Sequence, residues 1–311
     1  MIIKKIENDT RLSADYIQSV IDTASHRYKS YYIDKNKGGK RLIQHPSKEL
    51  KLLQRWVAKE IIASLPVHDS VYSYREGRGI ATLCDRHLKD NYLLRVDFKD
   101  FFPSIKGKDV VHLLKNNMGL FTSKLSRNDM RDIRSIVCRF DKLTIGAPSS
   151  PAISNAILYK LDIFLYDTSL SMGIKYSRYA DDLYFTTNNQ GKLSEILEVL
   201  KKYLKEHSSP TLLINHDKTI YTSKKRKKVI TGIVITSDGK KSIGRKKKKF
   251  IKGLVYKYTR EELEQKEITY LRGYLSYIKS IEPEFISSLS RKYGDDVISM
   301  INNENYIRLK K

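Results

Sequence analysis

The chain has 311 residues, 40% of them hydrophobic, enough to bury a sizeable core while dividing into subdomains. Lysine and arginine number 59 against 35 aspartates and glutamates, a formal charge of +24 that points to polyanionic partners bound in a salt-dependent way. No run reaches the roughly 20 apolar residues that cross a bilayer, and the charged start MIIKKIENDT has no signal-peptide core. Cys84 and Cys138 stand apart without metal-ligand spacing, so a cytoplasmic protein without a disulfide framework or structural zinc is expected.

Residues 1 to about 90 read as mostly helical, with a basic turn around Asn36 to Lys40. The apolar run Leu93, Leu94 and Val96 predicts a buried strand that delivers Asp97 at its end, and Phe98, Phe101, Phe102 and Pro103 follow as a tight turn. Lys108 to Asp141 reads as a helical insertion. From Thr144 to Leu158, TIGAPSSPAISNAIL has the composition of a backbone-exposing loop entering a helix. Gly146 lets a substrate approach the main chain, Pro148 and Pro151 stiffen the turn, and Ser149 or Ser150 caps a helix beginning near Ala152. An ordinary helix start has the same composition.

In IKYSRYADDLYFTT, the residues Tyr179, Ala180, Asp181 and Asp182 lie between two strand-like runs, which predicts a β-hairpin with both carboxylates at its tip. Two like charges about 4 Å apart repel by about 4 kcal/mol at an effective dielectric near 20, a cost that a divalent cation removes. Taken alone, a four-residue acidic pattern is more often a solvated turn. With Asp97 they give three carboxylates from two neighbouring strands, enough to hold two Mg²⁺ ions, or Mn²⁺ in their place, with substrate phosphates and water completing the coordination shells. That is the equipment of nucleotidyl transfer.

Further on, Leu193, Ile196, Leu197, Leu200 and Leu204 recur at helical spacing, and Asp238-Gly239 marks a hairpin turn before a helical, basic end region. Two basic runs lie there: KKRKK from Lys224 to Lys228, and KKSIGRKKKKFIK from Lys240 to Lys252. A lysine run is commonly a solvated face. Following the acidic hairpin as these do, they read as a phosphate-binding surface centred on Arg245, Lys246, Lys247, Lys248 and Lys249, while 21 tyrosines offer stacking surfaces for unpaired bases.

In chain order, Asp97 with its aromatic turn, the GAPSSP loop and YADD resemble the palm motifs of reverse transcriptases, most closely those of bacterial retrons. The resemblance extends over nearly the whole chain. KRLIQHPSKELKLLQRWV, from Lys40 to Val57, is similar to the fingers segment of that family, and LRGYLSYI, from Leu271 to Ile278, to its late thumb helix. His87 matches the histidine of an Asn-Ala-x-x-His motif whose Asn-Ala positions here are Leu83 and Cys84. KVITGIVIT resembles a Val-Thr-Gly element through Thr231 and Gly232, with Ile230 in place of the valine. Ile145 departs from the glutamine usual before the glycine of the GAPSSP-like loop, so the polar contact expected near the nucleotide is absent or supplied by another residue.

The resemblance implies an α+β, right-hand polymerase architecture: fingers over residues 1–90, an antiparallel-sheet palm over 91–236 carrying the insertion at about 108–141, and a basic helical thumb over 237–311. It implies Asp97 and Asp181 as primary metal ligands with Asp182 secondary, and Lys218 of INHDKT as proton donor to the leaving pyrophosphate. Lys40 and Arg41 are placed on the incoming deoxynucleoside triphosphate, with Gly146 and Ala147 lining its site. Phe102 becomes a ring beneath the sugar that excludes a 2′-hydroxyl, and His87, Thr231 and Gly232 become RNA or DNA contacts. The implied activity copies a structured noncoding RNA into RNA-linked single-stranded DNA (msDNA), primed from an internal guanosine 2′-hydroxyl, alongside an effector protein in anti-phage defence. No room is expected after the thumb for ribonuclease H, integrase or endonuclease domains. A group II intron-like or another defence-associated reverse transcriptase shares every palm residue. A catalytically silent RNA-binding scaffold shares the basic surface but has no reason to keep the acidic triad.

Overall fold

The computed structural model describes residues 2–35 and 38–303. Two compact units divide the chain: one takes in the chain up to Gly77 together with Leu94–Tyr221, the other Arg78–Leu93 together with the chain from Thr222 onward.

In the first unit, β1 (Tyr28–Asp34) and β2 (Lys40–Pro46) form an antiparallel hairpin in continuous register from Tyr28 opposite Pro46 to Asp34 opposite Lys40. This corrects the helical reading of that stretch. Of the predicted basic turn, Asn36 and Lys37 lie outside the described residues. The strands escape a periodicity search because nearly every side chain of β1 is exposed, so no apolar face alternates with a polar one. The helix Lys48–Glu60 starts where Ser47 Oγ accepts from the Leu50 amide, and it buries Leu50, Leu53, Trp56 and Val57 on one face. Its buried Gln54 donates to the Tyr28 hydroxyl (2.8 Å) and to the Ile136 carbonyl (2.9 Å), fixing the base of the hairpin to the helical layer.

A four-stranded sheet runs β4 (Lys175–Tyr179), β5 (Asp182–Thr187), β3 (Tyr92–Asp97), β6 (Ile220–Ser223). Its inner strands read as continuous apolar runs because they are covered on both faces. The helices Tyr159–Ser171 and Lys192–Glu206 back it, joined to each other by Phe164 stacked on Tyr203 at 4.5 Å. The region predicted as a helical insertion holds the helices Gly107–Asn116 and Arg127–Val137.

The second unit packs the helix Ile80–His87 on an antiparallel sheet of β7 (Lys228–Ile230), β8 (Ile233–Ile235) and β9 (Lys241–Ser242). Ile230 pairs with Ile233, so Thr231 and Gly232 form a two-residue turn, both at positive φ (44° and 90°) as a type I′ hairpin requires. The predicted Asp238-Gly239 turn joins β8 to β9. Four helices follow, Arg245–Tyr258, Gln265–Ile281, Pro283–Tyr293 and Asp295–Asn303, sharing a core of Ile251, Leu254, Leu271, Leu275, Phe285 and Leu289.

Gly146 has a purpose the sequence did not reveal. At φ 116°, a Cβ there would stand 2.8 Å from the Gln44 carbonyl oxygen, so the main chain it admits is that of β2, to which the Ile145 carbonyl is also bonded by the Gln44 amide at 2.8 Å. Gly146→Ala is therefore expected to destabilise the fold by about 1–3 kcal/mol, read as a fall in thermal midpoint. An unchanged midpoint would show that the loop can leave β2 at no cost.

Candidate active site

The hairpin predicted at the acidic pair is present. Tyr179 pairs with Asp182, leaving Ala180 and Asp181 as a two-residue turn between β4 and β5. Ala180 has φ 55°, at a central turn position that ordinarily takes glycine, while Asp181 stays at negative φ. A left-handed alanine costs about 1–2 kcal/mol, so something outside the turn must hold it. Its amide donates to Ser73 Oγ (2.8 Å) and its carbonyl accepts from Arg178 Nη1 (3.1 Å). Arg178 is wholly buried and forms a two-pronged ion pair with buried Asp162, Nε to Oδ1 at 2.8 Å and Nη2 to Oδ2 at 2.7 Å.

Asp97 ends β3, the strand beside β5. The segment Leu213–Lys218 runs along it: Lys99 donates to the Leu213 carbonyl and the Asn215 amide to the Asp97 carbonyl, both at 2.8 Å. This brings Lys218 Nζ to 3.0 and 3.2 Å from the two Asp97 carboxylate oxygens, and Asn215 Nδ2 to 3.1 Å from Oδ1. Asp182 accepts from the Tyr184 hydroxyl at 3.1 Å and stands 3.8 Å from Arg95 Nε.

Burial and mutual repulsion dominate the electrostatics. Burial raises the Asp181 carboxyl above its ordinary value, and the Asp97 charge raises it further against the pull of Lys218 and Arg41. Burial likewise lifts Asp182, with Asp181 and Asp97 adding to it and Arg95 opposing, to about 6. The Asp97 charge thus acts on both hairpin acids, and that of Asp181 on Asp182. Among the described residues no three side chains already surround a single point as a formed metal cage. Even so, carboxylate oxygens held together at this cost are the donor set that suits a hard divalent cation.

Other predicted residues fall in three groups. Arg41, on β2, bears on Asp181 by its charge, whereas Lys40 stands exposed at the first position of that strand, opposite Asp34. Phe102 is half-buried while Phe101 beneath it is 4% exposed and packs in the core, so of the two rings only Phe102 is open to a ligand. Ala147 is buried, and neither Ser149 nor Ser150 caps the helix Ser150–Ile157 with its side chain. In the second unit, burial removes His87 from any surface a nucleic acid could touch, and its expected RNA contact is corrected to a packing role. Lys248 is half-buried and its ammonium is paired with Glu282. Arg245, Lys246, Lys247 and Lys249 are exposed on the helix Arg245–Tyr258. Thr231 is half-buried and Gly232 exposed at the I′ turn.

Arg95, Asn215, Ser73 and the Arg178–Asp162 pair were missed by sequence reasoning. A signal existed for two of them, since Arg95 and Arg178 are charged residues set inside apolar strands, two positions before Asp97 and Ala180.

Because the folded-state value of Asp182 lies above its unfolded one, its ionisation works against folding. Stability falls as pH rises from near 4 toward 6, and the loss, on the order of 3 kcal/mol, is complete above that window. Asp182→Asn is thus expected to raise the thermal midpoint of the cation-free protein at pH 8 and to leave it nearly unchanged at pH 4. Equal shifts at both would contradict the assigned repulsion.

The family described as reverse transcriptase (RNA-dependent DNA polymerase) matches residues 33–271. Two Escherichia coli proteins are similar along nearly their whole length: the retron Ec83 reverse transcriptase, 32% identical over 89% of this chain and 90% of its own, and the retron Ec73 reverse transcriptase, 30% identical over 98% of this chain and 99% of its own. A telomerase from Candida albicans, solved with a fragment of telomeric RNA, shares the fold at a TM-score of 0.52 and 12% identity, covering 90% of this chain and 61% of that one. With the acidic hairpin, the Asp97 strand and these likenesses together, the chain belongs to the reverse transcriptase family, within its retron branch.

Proposed function

We propose that this retron RNA-directed DNA polymerase copies a structured noncoding RNA into single-stranded DNA that stays joined to the RNA, starting from an internal guanosine 2′-hydroxyl. A nearby effector protein and a cytoplasmic setting in anti-phage defence belong to the same reading. Its support is the likeness to retron enzymes over nearly the full chain, and among the described residues no helix is long and apolar enough to cross a membrane. The observation that carries the chemistry is the convergence of Asp97, Asp181 and Asp182 at the ends of adjacent strands, with burial raising the last two, the Asp97 charge adding to Asp181 and the Asp181 charge to Asp182.

Reverse transcriptases use divalent metal ions, and in this reading Asp97 and Asp181 hold two Mg²⁺ with Asp182 in support. When bound, the pair lowers the pKa of the attacking hydroxyl and neutralises charge on the attacking and leaving oxygens of an in-line displacement. The protein's own part is positioning. Asn215 and Lys218 orient the Asp97 carboxylate, and in this reading Lys218, half-exposed, gives a proton to the departing pyrophosphate. Arg41 supplies positive charge toward the triphosphate of the deoxynucleotide. The Phe102 ring occupies the space a 2′-hydroxyl needs. Arg245, Lys246, Lys247 and Lys249 meet phosphates of the RNA and its DNA copy, with exposed Phe250, Tyr256 and Tyr270 available for stacking.

In primer extension on an RNA template with Mg²⁺, Asp181→Asn/Asp182→Asn is expected to lower incorporation by roughly a thousandfold or more, and equal incorporation by variant and wild type would end the polymerase mechanism. Phe102→Ala is expected to improve use of ribonucleotides relative to deoxynucleotides by roughly tenfold or more in single-nucleotide extension, and unchanged discrimination would remove the gate from Phe102. Sequencing the nucleic acid that co-purifies with the protein tests the retron reading. A short DNA covalently joined to RNA is expected, and DNA with a free 5′ end would contradict it.

A further inference from the structure

Ala180 is held by a closed ring of buried hydrogen bonds that reaches across more than one hundred residues of sequence. Its amide donates to Ser73 Oγ, and its carbonyl accepts from Arg178 Nη1. The same Nη1 donates to Asn155 Oδ1 at 3.1 Å, and Asn155 Nδ2 donates to the Ser73 carbonyl at 3.0 Å, which brings the ring back to its start. Arg178 cannot swing away, because its other two nitrogens are locked on Asp162, which also accepts from the Tyr176 hydroxyl at 2.7 Å. Outside the ring, the segment Ser70–Ser73 lies parallel to β4. The Arg178 amide donates to the Ser70 carbonyl (2.8 Å) and the Tyr72 amide to the Arg178 carbonyl (2.9 Å).

A buried ion pair by itself says little about stability, since dry apolar packing does as well. The placement here is informative for another reason. Both backbone polar groups of a residue in left-handed conformation are bound by side chains from outside the turn, and the next two residues are the acids. We infer that Ser73 and Arg178, backed by Asn155 and Asp162, are positioning residues that fix where Asp181 and Asp182 present their oxygens to the cations. This rests on the reading of those acids as cation ligands. Rigid support of that kind is what a site needs when donor atoms must lie within about half an ångström of a working geometry.

Ser73→Ala removes one hydroxyl from the ring and leaves the ion pair whole, so it tests the inference without dismantling the core. Two readings are taken on the full chain. One is the single-turnover incorporation rate. The other is the Mn²⁺ concentration needed to hold a complementary deoxynucleotide on a dideoxy-terminated primer over an RNA template, where no chemistry occurs. Losing a buried hydrogen bond of this type is expected to slow incorporation roughly tenfold and raise the required Mn²⁺ by a similar factor, with template affinity little changed and the thermal midpoint lowered by only a few degrees. Since glycine adopts positive φ freely, the same Ser73→Ala change made in an Ala180→Gly background is expected to cost less than about threefold. Unaltered rate and Mn²⁺ requirement in Ser73→Ala, or an equal loss in both backgrounds, would overturn the inference. Asp181→Asn/Asp182→Asn run in parallel separates the two levels: retention of incorporation there defeats the cation-ligand reading itself, whereas its loss beside an unaffected Ser73→Ala defeats only the positioning.

Discussion

Negative charge gathered where water is scarce is the constraint around which this molecule is built. Asp181 and Asp182 follow a strained alanine at the hairpin tip, Asp97 ends the neighbouring strand, and burial together with the repulsion of neighbouring carboxylates pushes the hairpin acids upward, Asp182 to about 6. No folded protein gains stability from such an arrangement. The rest of the first unit holds it in place: the apolar strands β3 and β5 set the acids side by side, the Leu213–Lys218 segment steadies Asp97 with an amide and an ammonium, and Arg95 and Arg41 temper the field without cancelling it. Stability given up at a site and recovered elsewhere is the usual sign of selection for chemistry.

Hydrogen-bonding capacity is spent in the same place. Arg178 sends its donors to Asp162, Asn155 and the Ala180 carbonyl, and Asp162 takes a further bond from Tyr176, so a charge pair with no exposure to solvent is fully engaged. The second unit is organised on different principles. Short strands joined by tight turns carry a helical region whose exposed face is basic, fitting an electrostatic surface for a polyanion rather than a reacting centre.

Much of this was legible in the sequence because the signals were local. Apolar runs on either side of Tyr179–Asp182 and before Asp97 announce strands, and carboxylates at strand ends announce chemistry; the Leu193–Leu204 spacing and the Asp238-Gly239 turn translate directly into structure. What was not legible depended on partners distant in the chain. The β1–β2 hairpin has no buried face to impose alternation, and the glycine at 146 faces the main chain of Gln44 and not open space. Lys248 sits in a lysine run but pairs with Glu282, 34 residues away, and His87 matches a contact motif but is buried by the fold. Arg178 lay in plain view in the most informative motif of the chain, but only the fold reveals that its guanidinium turns inward to Asp162.

The central claim is that the three carboxylates gather two divalent cations at the growing DNA end. Its most direct test is anomalous diffraction at the manganese edge from crystals of the protein with an RNA template, a dideoxy-terminated primer and the complementary deoxynucleotide in Mn²⁺. The account predicts two peaks about 3.5–4 Å apart, shared by Asp97 and Asp181 with Asp182 adjoining. Well-ordered primer and nucleotide with no manganese between these carboxylates, or with manganese held elsewhere, would contradict it.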